Sequence, residues 1–190
     1  MVLVSWEAAA QYCNWLSRLD ALPVFYQIKY GRVLGIHPEA MGYRLPTEAE
    51  WDWATALSPA GAPQEYPWGI GFPPPARSGN FADRAASATQ NQVLEGYDDG
   101  YATAAPVGSF PPNAQGFYDL AGNVAEWIHD TFAPTPAAGL DPLGPPMAAQ
   151  HVVRGSSWAQ ADRAKLRALA RSAGVGGRPD LGFRLARYAQ

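Results

Sequence analysis

Glycine and proline punctuate this chain from end to end, with 19 Gly and 18 Pro among 190 residues. Proline removes a backbone donor and glycine costs conformational entropy, so long helices and strands are disfavoured. The chain is still rich in residues to bury, since 47% are hydrophobic, only 16% are charged, and there are 7 Trp, 9 Tyr and 7 Phe. We therefore predict a single loop-rich domain over residues 1–190 whose core is largely aromatic.

The N-terminal segment 5–16 has the pattern of an amphipathic helix. Ser5 is suited to cap its first turn, and one face carries apolar residues at spacings of three and four. These residues are Trp6, Ala9, Cys13 and Leu16. Cys13 is the only cysteine, so no disulfide can form within the chain, and we expect a buried core thiol.

Further local patterns are a hairpin, a second helix and a long ordered loop. Residues 23–28 and 32–36 read as two strands around Gly31, and a helix is predicted from about Glu48 to about Leu57. Residues 58–92 have a linker-like composition, but their aromatic residues predict a loop that is packed on the domain. These aromatic residues are Tyr66, Trp68, Phe72 and Phe81.

Charge and hydropathy exclude several classes of function. The net charge is −3 and there is no basic block, which argues against nucleic-acid binding by phosphate neutralisation. No apolar run has the length of a membrane span, so we expect no membrane partner. Residues 1–5 lack the features of a signal peptide, and we predict a soluble, cytoplasmic protein.

Several motifs occur together along the chain. In order they are VSWEAAAQYCNWL (4–16), YRLPTEAEW (43–51), YPWG (66–69), PVGSFPPNAQGFYDLAGNVAEW (106–127), VRGSSW (153–158) and GFR (182–184). In this order, and over nearly the whole chain, they resemble the formylglycine-generating enzyme family, also called the sulfatase-modifying-factor family. The resemblance implies an α+β fold of the C-type-lectin-like type, loop-rich and low in regular secondary structure. It also implies a strand around Leu166–Arg171, although residues 161–173 have high helix propensity.

The family domain usually begins before the VSW motif. The chain is therefore expected to be a fragment, a minimal fold, or a protein whose partner fills the gap. An uncovered sheet edge or apolar face on this N-terminal side would favour self-association.

The resemblance also draws attention to missing thiols. Active enzymes of the family bind copper through two cysteines that follow the motif matched here by residues 153–158. Residues 158–167 contain no cysteine, and cuprous copper prefers thiolate ligands that Gln160 and Lys165 cannot replace. We therefore expect neither copper binding nor formylglycine generation.

Structural calcium is the cofactor that the resemblance implies, since its oxygen ligand types are retained. One set is Asn80 and Asp99 with the carbonyl groups of Phe81 and Tyr101. The other is Asn123, Glu126 and the Val124 carbonyl. An alternative for Asn80 and Asp99 is that they only cap turns.

The histidines and the C-terminal arginines are the other polar residues that could take part in function. The histidines His37, His129 and His151 form no HxH or HxxxH pair, and we expect structural roles for them. Arginines near the C-terminus either line an anionic cleft or form ion pairs with acidic residues. These arginines are Arg154, Arg167, Arg171 and Arg184.

Two functions remain as hypotheses. The first is a non-catalytic module that binds a protein or a small molecule, and a variable ligand-display protein of a diversity-generating retroelement is one form of it. Its candidate ligand-binding residues are Ser157, Trp158, Gln160 and Arg167. The second is a metal-dependent oxidoreductase of the wider family whose chemistry does not use cysteine.

Overall fold

The structure is a computed structural model and describes residues 1–56, 58, 61–136, 142–143 and 150–189. The chain divides into two compact units. The first contains Met1–Ala49, Glu126–Val153 and Ser172–Gln190, and the second contains Glu50–Ala125 and Arg154–Arg171. Each unit assembles segments that are distant in the sequence, and the single domain expected over residues 1–190 stays a prediction.

The N-terminal helix confirms the prediction for this segment. Helix α1 spans Trp6–Leu19, and the Oγ of Ser5 accepts the backbone N–H of Ala8 at 3.1 Å. This bond satisfies one of the free donors of the first turn. Three residues of the predicted apolar face, Trp6, Ala9 and Cys13, are buried, and the fourth, Leu16, is half-buried. The helix buries Trp6, Ala9, Ala10, Cys13, Asn14 and Ser17.

The predicted hairpin follows the helix. Strands β1 (Tyr26–Lys29) and β2 (Arg32–Ile36) pair in antiparallel fashion. The two residues between them, Tyr30 and Gly31, have φ angles of 51° and 76°, as the tight turns of hairpins require. The Asn14 amide ties this hairpin to α1, because Nδ2 donates to the Tyr26 carbonyl at 2.7 Å and Oδ1 accepts the Tyr26 N–H at 3.1 Å.

A four-stranded sheet belongs mainly to the first unit. Its strands are β3 (Ala125–Thr131), β4 (His151–Arg154), β5 (Arg171–Gly174) and β6 (Leu181–Phe183), in the spatial order β5-β4-β3-β6. All seven residues of β3 are buried, as expected for an interior strand covered on both faces.

Two indole groups fasten the N-terminal segment to β3. The Nε1–H of Trp6 donates to the Ile128 carbonyl at 2.8 Å, and the Nε1–H of Trp127 donates to the Val4 carbonyl at 2.9 Å. Both rings are buried, so their N–H groups have lost contact with water. Each N–H finds a replacement acceptor in a backbone carbonyl.

The second helix is also close to its predicted position. Helix α2 spans Glu48–Ala56, and the predicted end at Leu57 lies outside the described residues. Trp51 is buried and anchors the helix. Over the described residues, no helix has the length and apolar character needed to cross a bilayer.

Aromatic residues form the core of the second unit, which confirms that part of the segment 58–92 is an ordered, packed loop. The ring of Trp68 stacks on that of Tyr66 with centroids 4.7 Å apart. Phe72 differs from the expectation, because it is 37% exposed. The buried cluster contains Tyr66, Phe81, Leu94, Tyr97, Ala121 and Leu166.

Two glycines allow a close backbone approach in this unit. A Cβ atom on Gly79 would lie 1.8 Å from the Ala121 carbonyl oxygen, and one on Gly122, where φ is +83°, would lie 2.0 Å from the Asn80 carbonyl oxygen. Neither position tolerates a side chain. The approach forms the parallel bridge between Asn80 and Gly122.

The segment after β4 corrects one prediction. A strand was expected at Leu166–Arg171, but residues 163–169 form turns and a bend, and β5 begins only at Arg171. The N–H groups of Lys165 and Leu166 both donate to the Asp162 carbonyl. This turn replaces both the expected strand and the helix that local propensity favours.

Candidate functional site

Arg154 holds the base of the segment 154–171, which carries the candidate ligand-binding residues. The side chain is 1% exposed, forms an ion pair with Asp52 and lies 5.0 Å from the ring of Trp51. The guanidinium also donates to three consecutive carbonyl groups at 3.3, 2.9 and 2.8 Å, those of Ala168, Leu169 and Ala170. One buried cation therefore joins the beginning of the segment to its end.

The first turn of this segment contains three of the candidate residues. Ser157 is 0% exposed, and its carbonyl accepts the N–H of Gln160 at 3.0 Å. The N–H of Trp158 donates to the Asn123 carbonyl at 2.9 Å, and the Gln160 carbonyl accepts the Ala82 N–H at 3.0 Å. The backbone is thus fixed on the second unit. Trp158, Ala159 and Gln160 are half-buried, so these side chains of the turn reach solvent in part.

The indole of Trp158 has an unusual feature. Its Nε1–H is buried, and no group of the described chain accepts a hydrogen bond from it. An unsatisfied buried donor costs about 1–3 kcal/mol. The turn therefore contains a donor for which a bound molecule or a water could provide the acceptor.

Arg167, the fourth candidate, lies on an exposed surface of the same segment. Its Nη2 is 3.5 Å from Glu65 Oε1, and Arg163 Nη2 is 3.8 Å from the same oxygen. The Arg163 Nε also donates to the Tyr66 hydroxyl at 2.8 Å. Two cations share one carboxylate, so this surface carries an excess positive charge that is open to solvent.

The C-terminal arginines were expected either to line an anionic cleft or to form ion pairs with acidic residues, and the structure shows ion pairs for three of the four. Arg154 pairs with Asp52, Arg167 pairs with Glu65, and Arg184 pairs with Glu126 at 2.5 Å. These are ion pairs with acidic residues. Only Arg167 combines its pair with wide exposure, since 56% of its side chain is accessible to solvent.

The first predicted calcium set comes together in the second unit. The Asp99 carboxylate accepts the N–H of Phe81 through Oδ2 and that of Tyr101 through Oδ1, both at 2.8 Å. Asn80 is 0% exposed, and its Nδ2 donates to the Thr103 carbonyl at 2.8 Å. Its Oδ1 is buried, and no described group donates to it. Because a buried oxygen without a donor is costly, Asn80 Oδ1 fits a cation ligand.

Asp83 is a second carboxylate beside this set, and the sequence reasoning missed it. Its Oδ2 accepts the Asp99 N–H at 2.5 Å, and its Oδ1 accepts the Ala85 N–H at 2.8 Å. Burial, together with the nearby Asp83 charge, raises the pKa of Asp99 to about 6. Two close carboxylates in a sheltered place suit a hard divalent cation. The position of Asp83 before the 3₁₀ turn Arg84–Ala86 signals only a cap, which explains why it was missed.

The described residues contain no group of three or more His, Cys, Asp or Glu side chains that could hold a metal. A cation at the first set would therefore depend on amide and carbonyl oxygens as well as on carboxylates. That ligand mixture is characteristic of calcium.

The second predicted set is divided between the two units, with Asn123 and Val124 in one and Glu126 in the other. The Asn123 Oδ1 accepts the Ala105 N–H at 3.0 Å, and its Nδ2 donates to the Ala105 carbonyl at 3.3 Å. Glu126 is paired with Arg184. This second calcium set stays a prediction.

Cys13 confirms the expectation of a buried core thiol. It is 0% exposed within α1, and burial raises the pKa of its thiol to about 12. A thiol that stays protonated near neutral pH is neither a good nucleophile nor a good metal ligand. The one sulfhydryl of the chain is therefore unsuited to thiolate chemistry.

Two of the histidines are structural. The Nδ1 of His129 and the hydroxyl of Tyr26 share a hydrogen bond of 3.2 Å. The ring of His151 stacks on that of Trp6, with centroids 3.5 Å apart and an angle of 9°. Both histidines are buried in the first unit, while His37 is exposed.

The small sheet, the long packed loops and the retained motif positions define a loop-rich α+β domain of the formylglycine-generating-enzyme type. Residues 1–189 match the family model of the sulfatase-modifying factor enzyme 1-like domain, and the chain belongs to this family. The formylglycine-generating enzyme of Streptomyces coelicolor is 33% identical over 205 residues, which cover 100% of this chain and 52% of that protein.

Two further comparisons concern relatives of other kinds. The inactive Cα-formylglycine-generating enzyme 2 of Mus musculus is 33% identical over 198 residues, covering 100% of this chain and 49% of that protein. Among solved structures, Treponema denticola variable protein 1 has a TM-score of 0.74 and 28% identity, covering 98% of this chain and 70% of that one. The chain thus spans about half the length of the curated relatives named here.

Proposed function

We propose that this chain is a non-catalytic module that binds a protein or small-molecule ligand through segment 154–171. One observation carries the proposal. The segment in which active relatives hold two copper-binding cysteines has none here, and its ends are instead joined by the buried Arg154. A backbone fixed in this way has little conformational entropy left to lose when a ligand binds.

The side chains of the segment favour a ligand with hydrogen-bond acceptors or negative charge. Arg167 and Arg163 present two guanidinium groups to solvent against a single carboxylate. Gln160 adds a half-buried amide, and the Trp158 indole holds an unpaired donor. Donors arranged on a rigid turn suit the recognition of carboxylate, phosphate or carbonyl groups.

Two relatives support a non-catalytic role. One is named an inactive enzyme and another is named a variable protein. We propose, as the finer form of the function, that the segment displays variable residues of a diversity-generating retroelement product. Sibling sequences that differ mainly at positions 159–181 would support this form, and siblings that are identical there would contradict it.

We further propose that calcium stabilises the second unit at Asn80 and Asp99, with the carbonyl groups of Phe81 and Tyr101. The unpaired Asn80 Oδ1 is the observation that supports it. A ligand that binds only the folded state raises its stability, by about 2.7 kcal/mol at one hundred times its Kd. Bound calcium would order this loop and would take no part in chemistry.

The calcium proposal is tested by thermal unfolding in chelator and in excess calcium. We expect calcium to raise the Tm of the wild-type protein and to leave that of Asn80→Leu unchanged. Asp162→Asn is a control, because Asp162 is an exposed aspartate of a different turn. A wild-type Tm that is the same in both solutions would remove the calcium site.

The non-catalytic role is tested by incubating the copper-treated protein with a peptide that contains a sulfatase-type cysteine motif. Mass spectrometry should show no conversion of cysteine to formylglycine, and conversion would overturn the proposal.

Binding by the segment is tested separately, with a peptide array and a glycan array as defined probes. Array hits should weaken at least tenfold in the double variant Gln160→Ala/Arg167→Ala. They should persist in Arg32→Ala, which changes an exposed arginine of the other unit. Hits that respond equally to both variants would contradict binding at this segment.

A further inference from the structure

The second unit contains a cavity of about 230 Å³ that is separate from the segment 154–171. Its walls come from residues 67–78 and 110–121 only. Half of the lining residues carry rings, since Trp68, Phe110 and Phe117 line it together with several prolines. Small-molecule sites are typically apolar concavities of about 300–1,000 Å³ that contain a few placed polar groups. At about 230 Å³ this cavity is smaller than that range, so only a small ligand would fit it.

Hydrogen bonds within the protein hold the loops that form the walls. The Asn113 Oδ1 accepts the N–H groups of Gln115 and Phe117 at 3.1 and 3.0 Å, and its Nδ2 donates to the Ala54 carbonyl at 2.6 Å. In the segment 67–78, the Ser78 hydroxyl donates to the Pro75 carbonyl at 2.6 Å. A preformed cavity avoids the cost of ordering its own walls when it binds.

One positive and one negative side chain also line the cavity. Arg77 makes a single long hydrogen bond, from its Nη2 to the Ser109 carbonyl at 3.4 Å. Asp119 accepts the Gly108 N–H through Oδ2 at 2.8 Å, and its Oδ1 has no hydrogen-bond partner. Across the described part of the chain, neither charge pairs with an opposite one. Arg77 is exposed and Asp119 is half-buried, and neither charge is neutralised within the described chain.

Both charged residues have a left-handed backbone. The φ angle is 63° at Arg77 and 57° at Asp119. This region is uncommon for a residue such as arginine, whereas aspartate adopts it more readily. A left-handed residue other than glycine costs roughly 1–3 kcal/mol, and such residues cluster at ligand sites. Both of these residues line the same cavity.

We propose that this cavity binds a free amino acid with an apolar or aromatic side chain. The carboxylate of the ligand pairs with Arg77, its ammonium group pairs with Asp119, and its side chain packs against Trp68 and Phe117. An anion alone would be repelled by Asp119, and a cation alone would be repelled by Arg77. A zwitterion with an apolar body satisfies both charges and the walls.

The proposal does not depend on the function proposed for segment 154–171, because no residue of that segment lines the cavity. It is tested by isothermal titration of the full chain with L-phenylalanine, L-phenylalaninamide and N-acetyl-L-phenylalanine. The amide lacks the carboxylate and the acetylated compound lacks the ammonium group. We expect saturable binding of L-phenylalanine and at least tenfold weaker binding of each analogue.

Two variants assign the two contacts. Arg77→Gln should weaken the binding of L-phenylalanine about tenfold. This variant should also bind L-phenylalanine and the amide with equal affinity. Asp119→Asn keeps an acceptor for the Gly108 N–H and should abolish the discrimination against the acetylated compound. Arg32→Gln and Glu95→Gln, at exposed positions, should bind as the wild-type protein does.

Several results would overturn the proposal. Wild-type protein that binds no L-phenylalanine at millimolar concentration contradicts it, as does equal affinity for all three compounds. These two outcomes need no variant, so they hold even where a substitution impairs folding. If both variants still bind L-phenylalanine more tightly than its two analogues, the ligand is bound elsewhere.

Discussion

The buried His151 should make the stability of this protein depend on pH in the mildly acidic range. Its ring is 8% exposed and stacked on Trp6, and its Nδ1 has no hydrogen-bond partner. Burial lowers its pKa from 6.5 to about 4, because the charged imidazolium loses its hydration. Protonation would also bury a donor that lacks an acceptor.

The sign and size of the effect follow from this pKa. Between about pH 6.5 and pH 4 the unfolded chain binds a proton at His151 and the folded chain does not, so stability falls as the pH falls. Each pKa unit corresponds to about 1.36 kcal/mol. The full effect is therefore roughly 3 kcal/mol at about pH 4, and we expect about 2–3 kcal/mol after the remaining solvent contact of the ring is considered.

The assay is urea unfolding of the wild-type protein and of His151→Gln between pH 7 and pH 4. Taking the difference between the two proteins cancels the contributions of other titrating groups. The wild-type protein should lose about 2–3 kcal/mol more than the variant over this range, and His37→Gln, at an exposed position, should behave like the wild-type protein. Parallel stability curves for wild type and His151→Gln would refute the reasoning.

Three other substitutions or probes test the packing. Gly174→Ala should cost about 1–3 kcal/mol in chemical unfolding, because its Cβ would lie 2.4 Å from the ring of Trp127, whereas Gly176→Ala, with no atom within 4 Å, should be neutral. Cys13 should react with a thiol reagent only at the rate of unfolding, since its thiol pKa is about 12, and rapid reaction of the native protein would be inconsistent with this burial. Arg154→Met should cost about 2–4 kcal/mol and speed amide hydrogen exchange in residues 155–170 before the rest of the chain. Exchange that rises uniformly would argue against the proposed clamp.

The elements that were predictable from the sequence are those governed by local signals. Ser5 before an apolar stripe predicts α1, and a glycine between two apolar runs predicts the hairpin of β1 and β2. Each of these patterns needs only a few neighbouring residues to determine the backbone. The family resemblance likewise put Asn80 and Asp99 in one set, and the structure joins their two segments through the Asp99 carboxylate and the Phe81 N–H.

The rest depends on contacts between distant parts of the chain. The residues from Leu166 to Ala170 have high helix propensity, but Arg154 binds three of their carbonyl groups and the chain turns instead. Asp83 resembles an ordinary cap in sequence, and only the fold brings it to Asp99. The cavity between residues 67–78 and 110–121 has no sequence signature, because its charges come from separate loops.

The central claim is that this scaffold keeps oxygen ligands for calcium while lacking the thiolates that copper requires. Metal analysis of natively purified protein by mass spectrometry tests both halves at once. We expect about one calcium ion per chain from the first set, lost in Asn80→Leu, and no copper in either protein. Stoichiometric copper that remains in Cys13→Ser would contradict the claim, because this chain would then bind copper without any thiol.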